Sequence, residues 1–488
     1  MIVPRPLLLC FLATTALTGC AMGPTRPPAS TLDAAPSLNP SGSTSVGLPT
    51  VARWWSLYQD PTLDALVIEA LQSNRDLRVA SATLAEAHTV LLERQDSRLP
   101  VTTVSSDIGY GSTVSDQLAA ALDQTEIRTG QRYTAGFSSG WRLDLFGQIA
   151  RSIQAAHADE AATLAAEDSV RVVVAAETTR AYLDSCGLAA RADVAQRSLD
   201  VVTRSLELKT ALRDVGGTTS LDVARWAALM EQARAAIPAI EAARQNALYE
   251  LAVLTGRPPD HLSTTATGCV SVPQLTAPIP IGDVTALLQR RPDIREAERR
   301  LEASTARIGV AMANLYPTAS ILGSAASSAP TVDGMRNHGS IVWGLGPTLS
   351  WHFPNRRAAR AQIAKAEAQE VAALARFDAV ILTALKDVKQ ALATYAAAVR
   401  RHGALATAAQ QSREAVRLAG VGRSAGAISE LDALDAQRRN VEAEAMLASA
   451  EADVALDQVA LFRSLGGGWE QAPAVSRPVI TRAADAAR

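Results

Sequence analysis

The segment IVWGLGPTLSWHF, residues 341–353, alternates between large apolar and small or polar side chains. Its odd positions carry Ile341, Trp343, Leu345, Pro347, Leu349, Trp351 and Phe353. Alternation with a period of two predicts a β-strand that has one apolar face. Strands in soluble sheets usually have about five or six residues, whereas a strand that crosses a bilayer obliquely needs about 9–11. The length and the aromatic ends favour a membrane-crossing strand, and a soluble antiparallel sandwich is the alternative.

A second segment of the same kind, YTAGFSSGWRLDL, occupies residues 133–145. Its odd positions are again apolar or aromatic except for Ser139, and its even positions include Gly136, Ser138 and Gly140. If both segments cross a membrane, their apolar faces contact lipid. The predicted lipid-facing residues are Phe137, Trp141, Leu143, Trp343, Leu345 and Leu349.

The two segments belong to a chain whose halves resemble each other. NRDLRVASATLAEA from Asn74 resembles RPDIREAERRLEAS from Arg291, and GTTSLDV from Gly217 resembles GAISELDA from Gly426. The matches occur in the same order in both halves, which indicates a tandem duplication. The halves are joined by residues 257–282, a linker rich in Pro and Thr.

Each half is predicted to contain a helix, two strands and a long helical hairpin. The helices are expected at about 60–98 and 283–314. The first repeat is residues 53–256, with strands 101–113 and 131–145 and a hairpin over 149–255. The second repeat is residues 283–468, with strands 318–329 and 340–353 and a hairpin over 356–464. Residues 469–488 are expected to form a flexible tail.

The hairpin segments show the heptad spacing of a coiled-coil seam. One run is Leu188, Ala192, Ala195, Leu199, Val202 and Leu206. Residues 149–215 contain no proline, so this arm could reach on the order of 100 Å at about 1.5 Å per residue. Turns at Gly216-Gly217 and over 420–426 then reverse the chain and give antiparallel hairpins.

Four strands cannot close a barrel alone, and an open sheet edge is not tolerated in lipid. Closure therefore requires further copies of the chain. Two copies supply eight strands, whose interior fills with side chains, and three supply twelve, which leave room for a lumen. The strands lead directly into the long helices. We therefore expect an α+β membrane protein in which a shared barrel continues into a helical tube.

The N-terminal sequence has the features of an export signal. Arg5 precedes the short apolar run PLLLCFLATTAL, residues 6–17, which is too short to span a bilayer. ALTGC, residues 16–20, resembles the bacterial lipoprotein box, which implies a signal peptide over 1–19 and a lipid on Cys20. A lipidated Pro- and Ser-rich linker would then cover 20–52. The alternative is an ordinary signal peptide that is cleaved nearby.

The composition indicates neither a nucleic-acid partner nor an enzyme. The formal net charge is −2, so a polyanion partner is not expected. The six histidines are scattered, and GVGRSAG at 420–426 lacks the strand–turn–helix context of a dinucleotide site. We expect no cofactor, no metal and no catalysis. Energy for any transport must therefore come from a partner protein.

Taken together, the duplicated halves, RRPDIREAERRL from Arg290 and GAISELDALDAQ from Gly426 resemble the TolC-type outer membrane factor family. The lipoprotein start resembles its branch of drug-efflux outer membrane lipoproteins. The resemblance implies a homotrimeric channel-tunnel with a twelve-stranded barrel in the outer membrane and a helical part in the periplasm. It implies a periplasmic membrane-fusion adaptor and an inner-membrane transporter of the resistance-nodulation-division (RND) class as partners. Type I protein secretion, metal-ion efflux and a lipid-anchored periplasmic scaffold are the alternatives.

The hairpin tips are the predicted gate and docking region. Asp432 and Asp435 match paired aspartates that the family places near its periplasmic constriction, and Asp222 and Arg423 are further candidates. Asp222 and Asp432 also sit in helix-capping patterns, so capping is an equally supported role for them. Asp435 lies beyond the capping turn. The resemblance places adaptor docking at the tips, at Gly216, Gly217, Gly422 and Gly426.

Two cysteines, Cys186 and Cys269, remain after Cys10 leaves with the signal and Cys20 is lipidated. The periplasm is oxidising. A hairpin that turns at 216–217 would return the chain close to Cys186. We therefore predict a disulfide between them, with two inert buried thiols as the alternative.

Overall fold

The structure is a computed structural model that describes residues 22–29, 52–127, 129–261, 264–275, 279, 290–351, 356–473 and 475. The predicted signal peptide, Cys20, most of the 20–52 linker and most of the 469–488 tail lie outside the described residues. The described residues form two compact units. The first unit takes residues 22–29, 85–162 and 297–376, and the second takes the remainder.

Both halves of the chain run from helix through two strands to a long helical hairpin, and the first half has a second helix before its strands and a further helix between them. The first half contains α1 (Pro61–Ser73), α2 (Arg75–Asp96), β1 (Val101–Gly111), α3 (Val114–Asp123), β2 (Gly130–Leu143), α4 (Gln148–Asp214) and α5 (Ser220–Leu254). The second half contains α6 (Pro292–Ala313), β3 (Thr318–Ala329), β4 (Ile341–Ser350), α7 (Arg356–Ser424) and α8 (Glu430–Ser464). Short 3₁₀ helices lie at Trp54–Tyr58, Asp333–Arg336 and His338–Ser340.

The first unit holds the sheet. Its four strands are antiparallel and follow the chain order β1-β2-β3-β4. In the same unit, α6 packs on the first turns of α7 through a small apolar cluster. This cluster consists of Ile308, Ala311 and Ala366, with Met312 and Ile363 against it.

The second unit holds the main hydrophobic core. Trp54 stacks on Phe462 of α8 with ring centroids 4.7 Å apart, and Trp55 meets Trp54 edge to face. Residues of α1 and of the middle of α4, including Leu63 and Leu183, are fully buried in the same cluster. The 3₁₀ helix at Trp54–Tyr58 therefore fixes the start of the first repeat against the end of the last helix.

The helix predicted over 60–98 is interrupted at Asn74. Asp60 caps α1, and Pro61 occupies its first position. The Asn74 side-chain oxygen accepts hydrogen bonds from the amides of Asp76 and Leu77, which starts α2 as a new helix. The single-helix prediction was therefore wrong at one residue, because a helix periodicity does not show an internal cap.

The strand predicted over 101–113 ends at Gly111. The Thr113 side chain accepts from the amide of Asp116, and the Asp116 carboxylate accepts from the amide of Thr113. This capping box starts α3, a helix that the strand pattern did not predict. β2 and β4 also end earlier than predicted, at Leu143 and Ser350, and residues 352–353 lie outside the described residues.

No helix in the described part of the chain combines the length and the apolar character that a membrane span requires.

Candidate functional site

The register of the sheet places most of its large apolar side chains on one face. Residues paired directly across antiparallel strands project from the same face. Phe137 pairs with Val104 on one side and with Ala325 on the other, and Ala325 pairs with Trp343. The same face carries Ile108, Tyr110, Tyr133, Trp141, Leu143, Ile321, Leu345 and Leu349.

The apolar face is exposed in the protomer. Trp343 and Leu345 are 77% and 74% exposed, and Phe137 is about half exposed. An exposed apolar surface of this extent marks a contact with another protein or with a membrane. All six residues predicted to face lipid lie on this face; their contact with lipid remains a prediction.

The opposite face of the sheet is small and polar. It carries Ser105, Asp107, Arg132, Thr134, Gly136, Ser138, Gly140, Ser320, Ser324, Ser328, Gly344, Gly346 and Thr348, together with Val101, Leu322 and Val342. A Cβ added at Gly344 or Gly346 would meet nothing within 4 Å. This face is therefore suited to water, and it leaves open space beside β4.

The sheet has two open edges among the described residues. β1 pairs only with β2, and β4 pairs only with β3. An edge strand leaves a row of backbone donors and acceptors that can pair with another chain. Both edges are long, at 11 residues for β1 and 10 for β4. They offer complementary surfaces for a second copy of the same sheet.

Two tryptophans tie the ends of β2 and β4 to neighbouring chain segments. The Trp141 indole N–H donates to the carbonyl of Arg98, just before β1, at 2.9 Å. The Trp351 indole N–H donates to the carbonyl of Leu315, just before β3, at 3.3 Å. Each repeat thus uses one tryptophan in the same way. Tryptophans of this kind are enriched where a membrane meets water.

The two hairpin tips are built alike. Gly216 and Gly426 follow α4 and α7 with φ of +75° and +71°, a left-handed conformation that favours glycine. The Gly216 and Gly217 amides donate to the carbonyls of Arg213 and Leu212. The amides of Gly426 and Ala427 make the corresponding bonds in the second repeat. Both helices thus end in a Schellman motif, which reverses the chain.

Asp222 and Asp432 stand at the third positions of the helices that follow the tips, whose N-caps are Thr219 and Ser429. Asp432 accepts from the Ser429 hydroxyl at 2.7 Å, and its amide donates back to that hydroxyl. Hydrogen bonds from Ser429 hold the pKa of Asp432 below its ordinary value. Those from Thr218 and Thr219 hold the pKa of Asp222 below its ordinary value in the same way. The capping box predicted from the sequence is complete at Ser429 and Asp432, where the Ser429 amide also donates to the Asp432 carboxylate. In the first repeat, the Thr219 hydroxyl accepts from the Asp222 amide and caps the helix.

Asp435 has partners that the sequence analysis did not identify. Arg438 donates to it at 3.0 Å and Arg439 at 2.9 Å, both from the next turn of α8. Partial burial acts to raise the pKa of Asp435, but the two arginines outweigh that effect and hold the pKa below its ordinary value. Arg423, the other candidate gate residue, pairs with Glu430 at 2.9 Å. The spacing of Arg438 and Arg439, three and four residues after Asp435, was the signal for this pairing.

The structure joins Cys186 and Cys269 in a disulfide, with Cα atoms 5.1 Å apart and a sequence separation of 83. Cys186 is fully buried on α4. Cys269 lies after the end of α5 and packs against the main core. The bond therefore ties the segment that follows the first hairpin to the middle of that hairpin's first arm.

The charged side chains that line a cavity of about 440 Å³ in the second unit are engaged in structural contacts. Arg291 binds Asp293 and the carbonyl of Ser464, and Arg463 pairs with Glu177. Within the described residues, no group of three or more His, Cys, Asp or Glu side chains is placed to hold a metal ion. The cavity offers no constellation of nucleophile and base.

Comparison with known proteins gives consistent results. The outer membrane efflux protein family matches residues 66–257 and 284–467. The outer membrane protein OprJ of Pseudomonas aeruginosa is 30% identical over 465 residues, which cover 94% of this chain and 95% of OprJ. The toluene efflux pump outer membrane protein TtgI of Pseudomonas putida is 29% identical over 414 residues, which cover 84% of this chain and 86% of TtgI.

The fold is also similar to that of a solved channel. The outer-membrane channel OprN superimposes with a TM-score of 0.81 at 34% sequence identity. The superposition covers 92% of this chain and all of the OprN chain.

Proposed function

We propose, from the premise that this chain belongs to the outer membrane efflux protein family, that it is the outer membrane exit channel of a tripartite efflux pump. It conducts drugs or other small molecules passively from the periplasm to the outside. The observation that carries the proposal is the four-stranded sheet, which is apolar on one face, small and polar on the other, and open at both edges.

Closure of the sheet accounts for the oligomer. Open edges are not tolerated in lipid, so β1 of one copy pairs with β4 of the next. Three copies give twelve strands, enough for a water-filled lumen. The apolar face then contacts outer membrane lipid, and the face that carries Gly344 and Gly346 lines the lumen. Homotrimerisation thus pairs both edge strands, and membrane insertion covers the exposed apolar face with lipid.

The long hairpins are the part that meets the other pump components in the periplasm. Energy is supplied by an inner-membrane transporter, which we assign to the RND class. A periplasmic membrane-fusion adaptor docks on the tips formed at Gly216, Gly217, Gly422 and Gly426. The lipid on Cys20, which lies outside the described residues, adds a second anchor beside the sheet.

The test combines conductance with efflux in cells. Purified protein in planar bilayers is expected to give stepwise channel currents, and unboiled membrane samples are expected to migrate as a trimer. Cells that lack the gene should accumulate a fluorescent pump substrate such as ethidium, and the wild-type gene should restore its efflux. Palmitate should label the wild type but not a Cys20→Ser variant.

The same measurements, together with growth on toxic metal salts, separate the alternatives. A lipid-anchored scaffold would give no current and would leave the membrane when Cys20 is replaced. A channel for protein secretion would conduct but leave ethidium accumulation unchanged, and a metal-ion channel would alter growth on toxic metal salts instead. Each of these results would contradict the proposed function.

A further inference from the structure

Arg151, in the first turn of α4, is buried and has an unusual set of partners. The residue is only 5% exposed, and it forms no ion pair with any described residue. Nε donates to the carbonyl of Met22 at 3.1 Å, and Nη2 donates to the carbonyl of Gly23 at 3.2 Å. The third partner is the Gln154 side chain, which accepts from Nη1 at 2.7 Å. Two of the three acceptors of this buried cation therefore belong to the N-terminal segment, residues 22–29.

The backbone of the N-terminal segment also lies against α6 at Gly309. A Cβ at Gly309 would lie 2.7 Å from the Met22 carbonyl oxygen and 2.8 Å from Cγ of Arg151. Gly23 has a φ of +94°, and a Cβ there would lie 2.6 Å from the Cα of Gly309. Neither glycine can carry a side chain without moving the segment or the helix.

These contacts define a docking cradle, formed by Arg151, Gln154 and Gly309. A buried charge without acceptors is strongly unfavourable, and main-chain carbonyls are the acceptors that satisfy it here. The cradle is thus incomplete unless the N-terminal segment occupies it. It is specific for a backbone with a glycine at the contact, and Gly23 meets that requirement.

The cradle lies where the strands join the helices. Arg151 follows the end of β2 at Leu143 within the first turn of α4, and Gly309 precedes the start of β3 at Thr318 near the end of α6. Met22 is two residues after Cys20 in the sequence. We propose that the cradle is a docking site for the chain's own lipidated N-terminus and fixes where its acyl chains enter the membrane beside the sheet. This inference rests on the proposed function, because it requires the sheet and the lipid to share one membrane.

The experiment measures the mobility of a spin label on a Thr25→Cys variant of the full chain, purified as a trimer in lipid nanodiscs. Cys186 and Cys269 are joined and a lipidated Cys20 has no free thiol, so position 25 is the single labelling site. We expect slow label motion in the otherwise wild-type protein. Arg151→Met removes the donors at similar volume, and Gly309→Ala inserts a Cβ against Met22. Both should raise the rapidly moving fraction several-fold.

Gly403→Ala is the matched control, because this helical glycine on α7 has nothing within 4 Å of its Cβ position. It should leave the label slow. Trimer migration on an unboiled gel should be the same for all forms, which shows that the fold is retained. A label that moves rapidly in the parent protein, or slowly in both cradle variants, would overturn the proposal.

A second arm replaces residues 1–20 with a conventional cleavable export signal, so that no lipid is attached. Slow motion in this form supports a cradle that holds the segment by itself. Rapid motion would show that the lipid alone orders the segment, and would overturn the proposal. Conductance is recorded on the same samples: loss of current with an ordered label would contradict the proposed function and leave the docking site standing.

Discussion

At the second hairpin tip, Asp435 forms ion pairs with Arg438 and Arg439 of the same helix. Asp435 was predicted to lie near the periplasmic constriction because it matches one of the paired aspartates of the family, and it stands beyond the capping turn. The arginines stand three and four residues later, a spacing that predicts ion pairs within a helix. The pairing was therefore predictable from that spacing, and it offsets part of the negative charge that the tip presents. Removing an aspartate and removing an arginine should consequently act in opposite directions.

We predict that Asp432→Asn/Asp435→Asn lowers the cation preference of the channel without preventing trimer formation. Three copies of each carboxylate near one axis attract cations, and asparagine keeps the side-chain shape and the capping acceptor. Arg439→Gln should raise the cation preference, because it exposes the charge of Asp435. Reversal potentials in a salt gradient provide the measurement. Unchanged selectivity in both variants would place these residues away from the pore.

The pH dependence of this selectivity follows from the lowered pKa values of Asp222, Asp432 and Asp435. A carboxylate with a lowered pKa is ionised at every pH above the ordinary aspartate pKa. It is neutralised only as the pH falls through its lower pKa in the folded protein. Cation preference should therefore be constant from pH 7 to about pH 4 and fall only below the ordinary aspartate pKa of about 3.9. Loss of preference between pH 6 and pH 5 would contradict the assignment of these residues.

At the scale of elements, local periodicity located the strands and the long helices within a few residues. It could not show internal helix caps, so the break at Asn74 and the helix α3 were missed. Thr113 and Asp116 stand in a capping pattern before an apolar run, which is the signal that would have found α3. The shared apolar face depends on the pairing of β1 with β2, of β2 with β3 and of β3 with β4. That register is non-local, so alternation within each strand could only suggest it.

Neighbouring positions on β4 give a direct test of the two faces. Leu345→Arg should lower stability by about 2–4 kcal/mol if the residue lies near the middle of the bilayer. Gly344→Arg is the matched control, because its side chain would enter open space on the opposite face. The assay is the yield of folded trimer in the outer membrane. Equal losses for the two variants would show that the face assignment is wrong.

At the scale of the whole molecule, the duplication is visible in the sequence, but the compact units do not follow it. Each unit draws segments from both repeats. A repeat boundary in sequence marks how a chain arose, whereas compactness depends on which segments pack together. The main core, for example, joins Trp54 near the start of the first repeat to Phe462 near the end of the second. Sequence similarity between the halves contains no information about that contact.

The disulfide of the second unit is expected to stabilise the fold in the periplasm. It closes a loop between residues separated by 83 positions, for which the chain-entropy treatment gives about 4.6 kcal/mol. Cys186→Ala/Cys269→Ala should therefore unfold at lower denaturant concentration, and mass spectrometry without reductant should find the two cysteines linked in the parent protein. Recovery of both thiols in the free form would rule out the bond.

Closure of the barrel determines whether proline is tolerated in β1, an edge strand of the four-stranded sheet. Ser105 and Ser106 lie in the middle of β1, opposite Gly136 and Ala135 of β2. Successive backbone N–H groups of a strand point to opposite sides, so one of these two faces β2 and the other faces the open edge. Proline removes the N–H and is tolerated only where that group is unpaired.

In an open sheet, one of Ser105→Pro and Ser106→Pro should therefore fold normally. In a closed trimeric barrel both N–H groups are paired, and we expect both variants to lose the trimer on unboiled gels. Serine-to-alanine changes at the same positions control for loss of the hydroxyl, and a normal trimer with either proline would show that β1 is a free edge.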